Sequence, residues 1–411
     1  MTHRPSFRSA LTLTVLVGAL GYFVDIFDLL LFPIVKTPSL VALGVPASQL
    51  LAVGARLLNW QMNGMLAGGI LWGVLGDKRG RLSVLFGSIV LYSLANLANA
   101  FVTSIPMYLA LRFIAGLGLA GELGAAITLV SETLPKEVRG YGASIVAGVG
   151  ITGAVVAALV GRWFTWKVAY LVGGGLGLGL LALRVGLAES GMFEQARHED
   201  VRRGDFLMLF TRGARFLRFL RCILVGLPVW FVVGILMANA ESFAPALGIQ
   251  GKVMNGYAVA WCYAGGALGD MAAGFLSQAL GSRRRAIALY LLLALAAISV
   301  FLVQRGLGLT AFYGICAVMG FSFGYWAMIV TVASEQFGTN LRATVTTTVP
   351  NFIRGSLTPM TWAFLALNAR FGILHAAGAV GLGALGLAFL SLWKMEESFG
   401  RDLDFLEHEV L

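Results

Sequence analysis

The sequence predicts an all-α membrane protein: twelve transmembrane helices in two six-helix lobes. Three observations predict it. The 411 residues are 58% hydrophobic and only 12% charged, more apolar than a soluble core of that size can hide. Apolar runs of about 20 residues, enough to cross a bilayer, recur along the whole chain. One long polar stretch, "ESGMFEQARHEDVRRGDF" from Glu189, separates them into two sets of six.

The twelve runs fall at 10–35, 49–75, 83–102, 106–133, 141–161, 167–188, 218–239, 253–280, 285–303, 308–336, 343–368 and 372–393. The first is too long, and too closely followed by others, to be a cleaved signal peptide. The division is therefore an N-terminal lobe over 1–188, a cytoplasmic linker over 189–217, and a C-terminal lobe with a short tail over 218–411. Cys222, Cys262 and Cys316 all lie in apolar runs without paired spacing. They read as small buried hydrophobes, with no disulfide or metal framework.

Orientation follows from the basic residues. Of 30 Lys and Arg, Lys36, Arg162, Lys167, Lys252, Arg305 and Arg370 lie on one side of the expected bilayer. Arg56, Arg112, Arg184 and Arg354 lie within spans, and the remaining 20 lie on the other side. That places both termini in the cytoplasm, as for a multi-pass protein of the inner (plasma) membrane. The net charge of +10 is then mostly a topology signal, not a nucleic-acid surface.

The halves carry a weak repeat. "SETLPKEVRG" begins at Ser131 and "SEQFGTNLRA" at Ser334, an offset of 203 that also relates Glu132 to Glu335 and Arg139 to Arg342. "GDKRGR" at Gly76 matches "GSRRRA" at Gly281. A parallel repeat of six spans suits two lobes that rock against each other.

These residues carry a family resemblance. "GVLGDKRGR" (Gly73–Arg81) resembles the helix 2–3 loop signature of the major facilitator superfamily, and "RFIAGLG" in span four resembles its helix 4 element. "SETLPKEVRG", "LAESGMF" after span six and "EESFGRDLDFLE" near the C-terminus are similar to elements of its sugar porters and metabolite:proton symporters. "GYFVDIFDLLLF" and "GLGLAGELGAAITLVSE" have the spacing of its phosphate:proton symporters. However, "LGAA" stands where those carry a substrate-binding Tyr-Pro-Leu-Ser, which argues against phosphate. The resemblance covers nearly the whole chain and implies the major facilitator fold working by alternating access.

Charges inside apolar spans are the candidate site. A carboxylate near mid-bilayer costs at least ~2.5–3.5 kcal/mol, so it should face a cavity or a partner. Asp25 and Asp28 share a face of helix one. Counting ~1.5 Å per residue, Asp28 and Arg112 lie at similar depths, and related sugar porters pair an aspartate and an arginine at these places. Asp28–Arg112 is the expected proton-coupling pair, unless it is a static ion pair. Asp25 is a second proton site or a hydrogen-bonded wall residue. Glu122, after the small residues of "GLGLAG", is a proton site, a substrate partner, or a structural carboxylate bonded to helix one.

Arg354, in "TVPNFIRGSLTP", falls at the centre of span eleven. Pro350 and Gly355 lead to the expectation of a broken helix there. Its planar fork suits a carboxylate; the alternative is an internal pair with Asp270. Asn351 beside it, with Arg56 and Asn59 in span two, are further substrate-binding candidates. Trp230, Trp261, Tyr263, Tyr325 and Trp326 are either packing or a stacking surface for a planar substrate.

The basic loops supply candidate cytoplasmic gates. Asp77 is placed to face the N-terminus of span eleven near Thr344. Arg81, Glu132 and Arg139 can pair in the first lobe. Glu335, Arg342 and Arg283–Arg285 offer equivalents in the second. Ser282 stands where the first repeat has Asp77.

No nucleotide loop, nucleophile, metal cluster or cofactor motif is present, which excludes an enzyme reading. The expected function is proton-coupled symport of a small anionic organic metabolite by a monomer that needs no cofactor. Its partners are that substrate, protons and the lipid bilayer. A proton-driven exporter or a facilitator is the alternative. A non-transporting sensor has no need of Asp28, Arg112 and Glu122 together.

Overall fold

The computed structural model describes residues 12–46, 49–135, 138–184 and 204–407, apart from the side chains at 51, 52, 131, 139, 140, 143 and 144. Residues 189–203 of the expected linker and the motif at 187–193 lie outside the described residues.

Twelve spans form two six-helix lobes. In the first lobe, spans one to three are the helices Leu13–Ala42, Leu50–Arg79 and Arg81–Asn99. Span four is two helices, Ile105–Leu119 and Glu122–Thr133, and span five is Arg139–Ile151 with Gly153–Trp163. Span six is Trp166–Leu183. In the second lobe, span seven runs Gly213–Trp230, a wide π-helical turn at Phe231–Met237, and Ala240–Leu247. Spans eight and nine are Asn255–Leu280 and Arg283–Val303. Span ten is Leu309–Ser322 with Trp326–Gln336, span eleven is Thr339–Gly355 with Leu357–Phe371, and span twelve is Ile373–Trp393.

Local chemistry sets the ends. Thr12, Ser104 and Thr165 cap spans one, four and six by accepting a backbone N–H three residues on. Gly248 and Gly281 end helices in the left-handed conformation, at φ 63° and 57°. Span one is longer than the expected 10–35 and passes through Pro33 and Pro38. Span eleven likewise runs through Pro350 and is interrupted at Ser356, not at the proline. In span seven the wide turn follows Pro228, and the Ala238 N–H reaches back five residues to Val233 O at 3.0 Å.

Burial sorts the spans. Of the most apolar stretch of each, 83% is buried in spans one and four and 78% in seven and ten, against 50%, 39%, 44% and 33% in three, six, nine and twelve. The first set therefore lines the centre. The second turns exposed side chains such as Leu292, Val300, Leu382 and Trp393 outward, where lipid covers them. Spans two, eight and eleven fall short of the apolarity expected of a lone lipid-facing helix. They lie between the lobes, span two against eleven and span eight against five. Cys222, Cys262 and Cys316 are free and buried.

Glycine sets the closest helix contacts. A Cβ on Gly116 of span four would run into the Gln61 carbonyl of span two, and one on Gly64 into the Phe113 carbonyl. The second lobe repeats this: Gly265 of span eight abuts the Ala317 carbonyl, and Gly320 of span ten abuts that of Cys262. Backbone-to-backbone packing of this kind holds membrane helices together where lipid offers no hydrophobic drive. Gly116→Ala is expected to lower the apparent unfolding midpoint of the purified protein, at a cost of ~1–3 kcal/mol for overpacking. Gly175→Ala, where a Cβ meets nothing within 4 Å, is expected to leave it unchanged. Equal midpoints for the two variants would refute the close approach.

Candidate functional site

At the centre, two charges from opposite lobes face each other. Asp25 stands on span one and Arg354 on span eleven, with Asp25 Oδ2 3.9 Å from Arg354 Nη2, and both are buried. The Asp25 oxygens accept no hydrogen bond. Asn351, one turn before Arg354, accepts from its Nη1 at 3.1 Å and donates to Ala120 O of span four at 2.8 Å. The guanidinium lies 5.5 Å over the Trp326 ring. A void of about 10 Å³ adjoins it, lined by Tyr22, Trp230, Tyr263, Trp326 and Arg354 among others.

The alternative pairing of Arg354 with Asp270 is not formed. Asp270 instead accepts from the Ala327 N–H at 3.1 Å, which satisfies the start of the second helix of span ten. Gly324, at that helix break, packs its backbone directly on Gly269.

Asp28 and Arg112 do not form the expected ion pair. Both are buried, but no contact between them falls within 4.0 Å. The guanidinium is turned to other neighbours: Arg112 Nη2 donates to Asn96 Oδ1 at 2.7 Å and its carbon lies 5.0 Å over the Tyr170 ring, while Nε and Nη1 have no hydrogen-bond partner among the described residues. The Asp28 oxygens accept no hydrogen bond and pack against Gly173. Asn96 went unnoticed in the sequence, where a neutral amide in a span carries no charge signal.

Glu122 is bound to span six rather than span one. Arg184 grips it in a two-pronged ion pair and also donates to Leu85 O of span three at 2.7 Å. Gly21 of span one passes over this pair, and a Cβ there would overlap both partners. The signal for Arg184 was present: an in-span arginine needs an acid at its depth.

Of the aromatic candidates, Trp230, Tyr263 and Trp326 border the central void. Tyr325 does not. It is buried within the second lobe and donates to Val225 O at 3.0 Å. Trp261 is 52% exposed, and Arg56 is exposed; neither borders the cavities described here. Asn59 lines a different, larger cavity.

That cavity, of about 300 Å³, opens between spans one, two, seven and eleven on the face away from the tail. Toward the centre it narrows to a second void of about 10 Å³, lined by Leu29, Leu58, Met62 and Trp230. A hollow of about 670 Å³ between spans nine and twelve, bordered by Arg284, Arg285 and Trp393, is remote from these residues.

The face bearing the C-terminal tail is shut. Asp77 accepts from the Ala343 and Thr344 N–H groups at 3.0 and 2.8 Å, across the lobe boundary. Arg81 grips Glu132 with two bonds of 3.1 and 2.7 Å, and Arg342 of the other lobe joins Glu132 at 3.1 Å. Thr128 and Thr346 hydroxyls meet at 2.6 Å. The second lobe repeats the fork, Arg283 on Glu335 at 3.3 and 2.9 Å. The Arg139 side chain lies outside the described residues. The tail seals this face: Thr339 N–H bonds Phe405 O at 2.9 Å, and Glu407 takes Arg215 and Arg218. Glu397 caps span nine. Burial alone would raise its carboxyl, but the Ser282 hydroxyl and the backbone N–H groups of Phe399, Arg283 and Arg284 outweigh it and hold it below its usual range.

Two six-helix lobes, closed at one face, cleft at the other and facing each other with buried charges, define a membrane transporter rather than an enzyme. The chain belongs to the Major Facilitator Superfamily, whose profile matches residues 11–358. It is 29% identical over 315 residues to the niacin transporter NiaP of Acinetobacter baylyi, covering 68% of this chain and 70% of that one. It is 26% identical over 393 residues to a probable 4-methylmuconolactone transporter of Cupriavidus pinatubonensis, covering 92% and 89%. In fold it is similar to the proton:xylose symporter XylE bound to 6-bromo-6-deoxy-D-glucose, with TM-score 0.74 and 15% identity over 97% and 98% of the chains.

The shut face should be breakable at one residue. Asp77→Asn keeps the volume but removes the charge from the start of span eleven, an interaction of typically ~0.3–1 kcal/mol and up to ~2 when buried. The expected result is fewer disulfide crosslinks between cysteines placed across the tail face on spans two and eleven. Crosslinking at the wild-type level would show that Asp77 does not hold that face shut.

Proposed function

We infer that this transporter carries a small ring-bearing carboxylate together with a proton, into the cell, by alternating access. Its termini are cytoplasmic on the basic-residue distribution, so the cleft faces outward in this state. The observation that carries the reading is Arg354 facing Asp25 across the lobes at 3.9 Å, with Trp326 under the guanidinium. The names of two relatives, niacin and 4-methylmuconolactone transporters, agree with a planar ring acid as cargo.

The coupling follows from charge. With no substrate, Asp25 and Arg354 neutralise each other in a desolvated centre. An arriving carboxylate fits the same guanidinium fork better than a single-contact ion pair does. It displaces Asp25, and a lone buried carboxylate costs several kcal/mol. Asp25 therefore takes a proton as the substrate binds, and releases it when the substrate leaves inward and Arg354 returns. In this reading Asp28, one turn outward on the same helix, is the next carboxylate on that proton's route. Trp230, Tyr263 and Trp326 supply faces for the ring.

One monocarboxylate with one proton moves no net charge. Accumulation then follows the pH gradient, at ~1.4 kcal/mol, or about tenfold, per pH unit. Clamping the membrane potential in proteoliposomes should leave accumulation of nicotinate unchanged, while collapsing the pH gradient should abolish it. Asp25→Asn and Asp28→Asn should each lose gradient-driven accumulation while retaining substrate exchange. Arg354→Lys keeps the charge but not the fork. It should weaken carboxylate binding about tenfold or more by calorimetry, a charged hydrogen bond being ~1.5–3 kcal/mol. Wild-type affinity in that variant would remove the case for an anionic cargo.

A further inference from the structure

The cleft that leads to Arg354 holds a second cation that the central site does not use. Lys36 stands two turns outward of Asp28 on span one and borders the cavity of about 300 Å³. Its aliphatic stem lies across Gly54 of span two, where any side chain would collide with it. Among the described residues its ammonium has no ion pair within 4.0 Å and no hydrogen bond. The acid whose charge reaches it is Glu241 at the outer end of span seven. That carboxylate accepts instead from the Asn255 N–H at 3.0 Å, which ties it to span eight.

The rest of the cavity suits an amphiphilic anion. Asn59 of span two and Thr361 and Asn368 of span eleven border it, and their side chains make no hydrogen bond to the described residues. Asn239 is different: its amide donates back to Ile235 O at 2.9 Å. The remaining walls are apolar, with Phe32 and Phe364 among them. Unsatisfied donors around one cation, on an otherwise apolar wall, are the chemistry of a site for a ring carboxylate. The volume is at the lower end for such sites and suits a single ring. Inward of it, Leu29 and Trp230 border both small voids and stand between this cavity and Arg354.

We propose that this cavity is a separate vestibular binding subsite for the carboxylate substrate, anchored by Lys36 and occupied before Trp230 and Leu29 part to admit it to Arg354. The subsite rests on the carboxylate reading above. Lys36 captures the anion and Arg354 commits it, so the two cations act in sequence on the same charge.

The test is initial-rate uptake of radiolabelled nicotinate by full-length protein in proteoliposomes, at low and high ionic strength. Lys36→Met keeps the stem on Gly54 and removes the charge, and Lys36→Arg keeps the charge. Lys36→Met should raise KM about threefold to tenfold at low salt with kcat unchanged, and the gap should close at high salt as screening removes the wild type's advantage. Lys36→Arg should behave as wild type. A fall in kcat with KM unchanged would make Lys36 a gate residue and overturn the subsite, as would a Lys36→Met variant matching wild type at both salts. A wild type that takes up none of nicotinate, benzoate and gentisate would overturn the carboxylate reading itself, and the subsite with it.

Discussion

The structure depends on one pairing of opposite charges that neither lobe can satisfy alone. Asp25 belongs to the first lobe and Arg354 to the second, and both sit where water is excluded. Apart from Asp28, each lobe engages its other deep charges internally or against the backbone. Glu122 has Arg184, Arg112 has Asn96, and Asp270 has a helix N-terminus. Across the interface, among the described residues, one acid faces one base, held at 3.9 Å rather than in a tight fork. A loose pair is one that a better-matched anion can enter, whereas the two-pronged Glu122–Arg184 pair is not.

The repeat explains how the closed face is built and why it is lopsided. Each lobe makes the same arginine–glutamate fork at its tail-side end, Arg81 with Glu132 and Arg283 with Glu335. Among the described residues, the first lobe's fork is shared across the boundary by Arg342, and the second lobe's is not. The second lobe's fork is covered by its own chain, with Ser398 donating to Glu335 at 2.8 Å. Asp77, whose repeat counterpart is Ser282, completes the asymmetry by binding the start of span eleven. The tail face is thus shut by charge, while the cleft of the other face ends inward at the apolar Leu29 and Trp230.

Much of this was legible in the sequence because it follows one-dimensional rules. Span count and the two lobes follow from apolar length. The meeting of Asp77 with span eleven follows from an acid and a helix start lying at the same depth. Depth along a helix is countable at a fixed rise per residue, but rotation about its axis is not, and rotation decided the rest. Asp28 and Arg112 share a depth yet not a contact, because the guanidinium is turned toward Asn96 and Tyr170. Asp25, one turn away on the same face, turned out to meet the second lobe. Trp261 and Tyr325 had the right composition and the wrong azimuth. Of the two signals for a break, the helix absorbed Pro350 and ended at Gly355, with Ser356 at the interruption.

The wide turn of span seven has a mechanical meaning. It begins one residue after Trp230 and holds a surplus residue relative to an α-helix. A surplus residue is slack: passing it along the helix turns everything beyond by about 100° and slides it ~1.5 Å. Beyond it lie Asn239 and Ser242 on the cleft wall, and before it lies Trp230 at the throat. Span seven therefore carries a screw thread at its midpoint, so the outer segment can wind over the cavity while the tail-side half, tied through Arg215 and Arg218 to Glu407, stays still.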